Sequence, residues 1–171
     1  MKRLIYLSVL VLAACGCGAK EGADTKAAAD STSVTPAFMA GRIHAMEDSI
    51  FEKPAFDRRG AVALLDVYKA YAKAYPLDSL APEYLVRAAG IQRNLKDPQA
   101  AVDIYDQVIR DYPNWPDVVA CYYQKALIYQ DDMKELGKAK QAYEEVIQRF
   151  PDHTFGKEAK VMIDNLQYTD A

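Results

Sequence analysis

Three cysteines and two histidines are the few strongly reactive side chains in this 171-residue chain. His44 and His153 fall on separate segments, and neither has a His, Cys or carboxylate at ligand spacing, so the pattern offers no zinc site. The eight glycines are scattered and form no loop able to cradle a phosphate. No serine occupies a nucleophile elbow, and no Cys/His pair has the makings of a thiol hydrolase. The carboxylate pairs Asp131-Asp132 and Glu144-Glu145 suit a solvated loop and helix surface rather than acid–base work. Cys121, set between Ala120 and Tyr122, reads as a small buried residue in mid-helix. Only Cys17 could pair with it, so a structural disulfide framework is excluded. The chain is therefore expected not to be an enzyme and to use no cofactor or metal. One thiol stands in a setting with chemical meaning. Cys15 follows two alanines at the end of an apolar run, Leu4 to Ala14, itself preceded by Lys2 and Arg3. That run is too short for a bilayer-spanning helix of ~20 residues, while a thiolate is the nucleophile that transfer of a lipid group to sulfur needs.

The sequence Leu12-Ala13-Ala14-Cys15 resembles the bacterial lipoprotein signal. The resemblance implies cleavage before Cys15, diacylation of its sulfur and usually acylation, as by palmitate, of the new amine. Residues 1–14 would then be a signal peptide. The alternative is an ordinary secretory leader cleaved near Ala14, leaving Cys15 unmodified. Two or three acyl chains, each worth ~0.8 kcal/mol per buried methylene, would hold a soluble domain on a leaflet. From Gly16 to Pro36 the chain is Gly, Ala, Lys, Glu, Asp, Ser and Thr with almost no large apolar residue, so residues 15–36 are expected to be a lipidated flexible tether. Without Lys2 and Arg3 the basic residues number 21 − 2 = 19 against 24 acidic ones, a net charge of −5. Mild acidity without a basic stripe argues against nucleic acid and against electrostatic binding to anionic lipid.

The remainder, residues 37–171, carries helical pattern throughout and no segment of strand period. Tyr105 to Pro113 and Tyr143 to Pro151 match in pattern at an offset of 143 − 105 = 38, and Tyr68 to Pro76 is a fainter copy 37 residues upstream of the first. The recurring positions are Leu64, Tyr68, Tyr71 and Pro76; Ala101, Tyr105, Val108 and Pro113; Ala139, Tyr143, Val146 and Pro151. The first three of each set share one helix face, and the proline ends the helix. Between the copies lie second helices, Pro82 to Asn94 and Asp117 to Gln130. Upstream, Met39, Ile43, Met46 and Ile50 define a helix from Phe38 to Phe51, followed by a loop from Glu52 to Gly60 and a helix from Ala61. Asp97-Pro98 reads as an N-cap with proline at the first helical position, and Pro82 and Pro116 suit the same position. Thr154 to Gln167 is the last helix, polar enough to cap the stack. Trp115 in its Pro-Asn-Trp-Pro turn is either an exposed contact or the plug of a gap between units. A helical repeat of this period predicts an all-α solenoid of about three helix pairs.

This pattern resembles the tetratricopeptide repeat on Tyr122, Ala126, Tyr129, Ala139, Tyr143, Val146 and Pro151, and on Leu85, Ala89, Ala101, Tyr105, Val108 and Pro113. It departs at Gln92, where the family usually has an aromatic, and its period is longer than usual. Lipid together with this repeat is similar to the BamD-like lipoproteins of the β-barrel assembly machine and to the repeat domain of the Tol-associated cell-division coordinator. The resemblance implies a concave groove lined by the first helix of each unit. Carried over by position, the groove takes Val86, Arg93, Tyr123, Leu127, Gln130 and Tyr168 as partner-binding residues. Tyr123 is either its aromatic anchor or packs against a neighbouring helix. The implied function is a membrane-anchored adaptor or scaffold that binds another envelope protein or peptide segment. It would act on the bacterial outer membrane, with the face left open. A glycan- or small-molecule-binding accessory lipoprotein is the alternative.

Overall fold

The computed structural model describes residues 34–52 and 57–169, with side chains as far as Leu166. The expected signal peptide, Cys15 and the part of the expected tether up to residue 33 lie outside the described residues. Seven α-helices follow one another among those described: α1 (Pro36–Phe51), α2 (Arg58–Ala74), α3 (Leu80–Asn94), α4 (Pro98–Asp111), α5 (Val118–Leu127), α6 (Leu136–Arg149) and α7 (Thr154–Thr169). Each packs on the next, giving the all-α, solenoid-like stack of three helix pairs with α7 as a closing helix.

The repeat positions make the core. Leu64, Tyr68 and Tyr71, then Ala101, Tyr105 and Val108, then Ala139, Tyr143 and Val146 are all buried, as their shared helix face requires. One apolar cluster fills the space among α1 to α4 and takes in Cys121 and Ile128 from the following unit, and a second fills that among α5 to α7. Trp115, half-buried, packs against both, so it plugs the junction between units. Rings supply much of the contact area: Tyr68 stacks on Tyr84 at 5.3 Å between centroids, and Tyr71 meets Tyr84 edge-on at 4.7 Å.

The helix ends differ from expectation where side chains cap them. The loop expected from Glu52 to Gly60 is shorter, because Asp57 is an N-cap whose carboxylate accepts from the Gly60 N–H at 2.9 Å and starts α2 at Arg58. Thr35 caps α1 in the same way, one turn ahead of Phe38. Asp97 caps α4 with Pro98 following, as its spacing predicts. Pro82 lies inside the first turn of α3, which already begins at Leu80, and Pro116 lies before α5.

A π-helical turn, Ile128–Asp132, ends the segment expected to be plain α-helix up to Gln130. Its cause is legible in the spacing. The first helices of the two units align at an offset of 126 − 89 = 37, but their second helices align at 139 − 101 = 38. One residue is therefore inserted between them, and the wider turn, closed by the Met133 N–H on the Ile128 carbonyl at 3.0 Å, absorbs it without shifting either apolar face. Both units then re-enter their second helix through a left-handed lysine, Lys96 (φ 69°) and Lys134 (φ 58°). A side chain there is strained where glycine is not. Lys134→Gly is expected to be neutral to stabilising, by up to about 1 kcal/mol, and Lys134→Val destabilising by about 1–2 kcal/mol, in urea unfolding.

Candidate functional site

The first helices α1, α3 and α5, together with α7, lie along one side of the stack, tied by contacts that skip the intervening helix. Arg87 on α3 donates to Glu47 on α1 and also to Glu83 on its own helix. Arg93 at the end of α3 pairs with Asp132 of the π-helical turn. Tyr123 on α5 stacks on Phe155 of α7 at 4.8 Å with 18° between the rings. These links hold the helices at fixed spacing and leave their remaining side chains facing outward.

Among the positions assigned to the groove, Val86 and Leu127 are half-buried against the two apolar clusters. Arg93 is engaged with Asp132 and remains about a third exposed. Gln130 is half-buried and accepts from the Tyr143 hydroxyl at 2.9 Å, which reaches it from the second helix of the unit. The structure gathers Gln130, Asp131, Lys134 and Leu136 opposite Asn165 and Leu166 of α7, around a cleft of about 320 Å³. Tyr168 lies on α7 beyond the residues whose side chains are described.

Of the two readings of Tyr123 the structure gives the packed one, which corrects the open aromatic anchor. The ring is only 8 % exposed, because Phe155 covers one of its faces and Tyr143 meets it at 5.7 Å. Tyr122, its neighbour, is buried too, against Phe150 and beneath the Arg149 guanidinium. Burial raises the Tyr123 pKa, and the Glu158 carboxylate beside it adds to the effect. Adjacent residues on a helix point about 100° apart, so both rings can be buried only when a further helix covers the second one, and α7 does so.

An element missed from sequence is the polar clasp under α1. Glu47, the one buried charged residue among those described, accepts from the Tyr68 hydroxyl on α2 and from Arg87 on α3, with His44 Nδ1 at 3.6 Å. Burial pushes its pKa up, but the Tyr68 and Arg87 hydrogen bonds outweigh this and leave it below its ordinary value. An acid on an amphipathic helix carries no sequence signal of such a role, because its partners lie 21 and 40 residues away.

Cys121 is fully buried, and burial pushes its thiol up to about 12, which leaves it a packing residue. Among the described residues no group of three His, Cys, Asp or Glu side chains is arranged to hold a metal ion.

Comparison with known families places two copies of the Tetratricopeptide repeat on residues 83–114 and 120–153, the units formed by α3 with α4 and by α5 with α6. No curated protein matches the chain. Tandem repeats of this kind are scaffolds for protein–protein contact and take other proteins or peptides as partners.

Proposed function

We propose that this protein is a lipid-anchored adaptor of the bacterial envelope, held on the outer membrane through Cys15. A tether would link that anchor to the described domain, and the face of the first helices would grip a segment of another envelope protein. The observation that carries the docking half is Gly90. It sits mid-helix in α3 on that face, and a Cβ there would meet nothing within 4 Å. Glycine in a helix interior costs about 1 kcal/mol relative to alanine, and nothing inside the described chain requires it here. A bare backbone on an exposed helix face leaves room for a partner chain to approach closely. Gly90→Ala is therefore expected to raise stability by about 0.5–1 kcal/mol in urea unfolding, whereas Gly90→Trp should leave the fold intact and block the partner.

The anchor rests on Leu12-Ala13-Ala14-Cys15 behind its short apolar run. Metabolic labelling with an alkyne palmitate tests it. Labelled protein in the membrane fraction, lost from both in Cys15→Ala, supports the reading. Unlabelled protein in the soluble fraction overturns it. The glycan reading needs aromatic rings around a closed pocket. Tyr68, Tyr71, Tyr84, Tyr122, Tyr123 and Tyr143 are instead buried among the helices, and Tyr112 and Trp115 border a surface cleft rather than a closed pocket, so the docking reading is preferred.

A further inference from the structure

A second docking site is carried by the opposite feature, an apolar side chain where the repeat asks for a polar one. Leu77, in the turn between α2 and α3, is 100 % exposed. At the two equivalent positions of the repeat the chain has Asn114 and Asp152, so the fold does not call for leucine there. Two clefts of about 510 and 530 Å³ flank it and share Pro76, Leu77, Asp111 and Tyr112 among their lining residues, forming one continuous surface at the turn edge of the stack. One end is apolar, with Trp115 and Tyr112 beside Leu77 and prolines around them. A fully exposed leucine beside half-buried Tyr112 and Trp115 gives the cleft an apolar floor open to a partner's side chain.

The other end is basic. Lys69 and Lys73 line it one helical turn apart on α2, both exposed, and neither has an ion-pair partner among the described residues. Lys69 also breaks the repeat, since Asp106 and Glu144 hold the equivalent positions. The acidic lining residues are already engaged: the Asp78 carboxylate accepts from the Leu80 N–H at 2.9 Å, and Asp111 pairs with Arg110 at 2.9 Å. At the Lys69–Lys73 end two lysines face a single carboxylate that is already ion-paired, so a net positive charge stands beside an apolar trough.

We infer that this turn-edge cleft binds an extended segment of a partner protein in which carboxylates lie next to a large apolar side chain. The carboxylates would meet Lys69 and Lys73, and the apolar side chain would lie against Leu77, Tyr112 and Trp115. Charge complementarity sets which end of the segment lies over the lysines, and the desolvated apolar contact supplies most of the affinity. The site is separate from the first-helix face, and its test is independent of the outcome there.

Trp115 is the only tryptophan of the chain and lines the cleft, so its emission reports occupancy directly. The probes are a tryptophan-free octapeptide with two glutamates ahead of a phenylalanine–leucine pair, and the same peptide with lysines for the glutamates. The full chain should give a saturable change in Trp115 emission with the acidic peptide and at least tenfold weaker binding of the basic one. Leu77→Glu should weaken the acidic peptide at least tenfold. The double change Lys69→Glu, Lys73→Glu should reverse the preference between the peptides. Lys140→Glu, an exposed charge reversal on α6, should alter neither. All three variants change exposed side chains and are expected to fold. Equal binding of the two peptides, no response to either, or a response that survives Leu77→Glu would overturn the inference.

Discussion

Gly156→Ala is expected to unseat the last helix and cost about 2–3 kcal/mol. Gly156 is buried in the first turn of α7, where that helix crosses the end of α6. A Cβ there would sit inside the contact distance of the Phe150 carbonyl oxygen and 3.0 Å from the carbonyl carbon. Both obstacles are backbone, so no rotamer change relieves them, and α7 must shift. Its departure would uncover Tyr123 and Tyr143 and the second apolar cluster, because Phe155 and Ala159 lie on the same helix. The expected signature is a lower urea midpoint together with faster amide exchange in α6 and α7, while α2 and α3 keep their protection. In a stack where each repeat contacts only the adjoining repeats, damage at one end stays local. Lys157→Ala, one residue on and exposed, should change stability by less than about 0.5 kcal/mol. Wild-type stability in Gly156→Ala would show that α7 does not pack as described.

Glu47→Ala is expected to loosen the opposite end by about 2 kcal/mol. It removes the acceptor shared by Tyr68 and Arg87, leaving a buried hydroxyl without its partner, while Arg87 keeps Glu83. The other ties of α1 are apolar, chiefly Ile43 and Ile50, together with a Tyr75 hydroxyl bond to the Val34 carbonyl. Amide exchange should rise across α1 with little change beyond α3. Glu47→Gln keeps an acceptor and loses the charge, so its cost should be smaller. The pH dependence follows from the lowered pKa. Glu47 binds its proton less readily folded than unfolded, so its contribution is fully present above its ordinary value of 4.5 and is lost as pH falls through the folded value. Wild type should therefore lose more stability than Glu47→Gln on acidification below about 4.5. Parallel pH profiles for the two proteins would contradict this.

The helices and their buried faces were legible in the sequence because a 3.6-residue period in apolar positions is dictated by one element and its nearest neighbour. Leu64, Tyr68 and Tyr71 and their counterparts in the later units are all buried for that reason. What depends on a third element was not legible. The burial of Tyr123 needs α7, and the role of Glu47 needs both α2 and α3. The π-helical turn left a sequence trace, the change of offset from 37 to 38 within a unit, but the trace appears only when both helices of the repeat are aligned separately. The turn-edge cleft was missed for the same reason: Leu77, Lys69 and Trp115 come from three separate segments and stand out only against their repeat equivalents.

The central claim is that the face of the first helices receives a partner, and site-specific photo-crosslinking in the native host tests it most directly. The photoreactive residue is placed at Asp131 or Asn165, exposed on the two sides of the cleft between the π-helical turn and α7, with Lys140 on the exposed face of α6 as the control. The account predicts one discrete protein adduct, the same from Asp131 and Asn165, absent from Lys140 and lost when Gly90→Trp is added. Adducts only from Lys140, or none from either cleft position while the protein remains folded and membrane-bound, would contradict it.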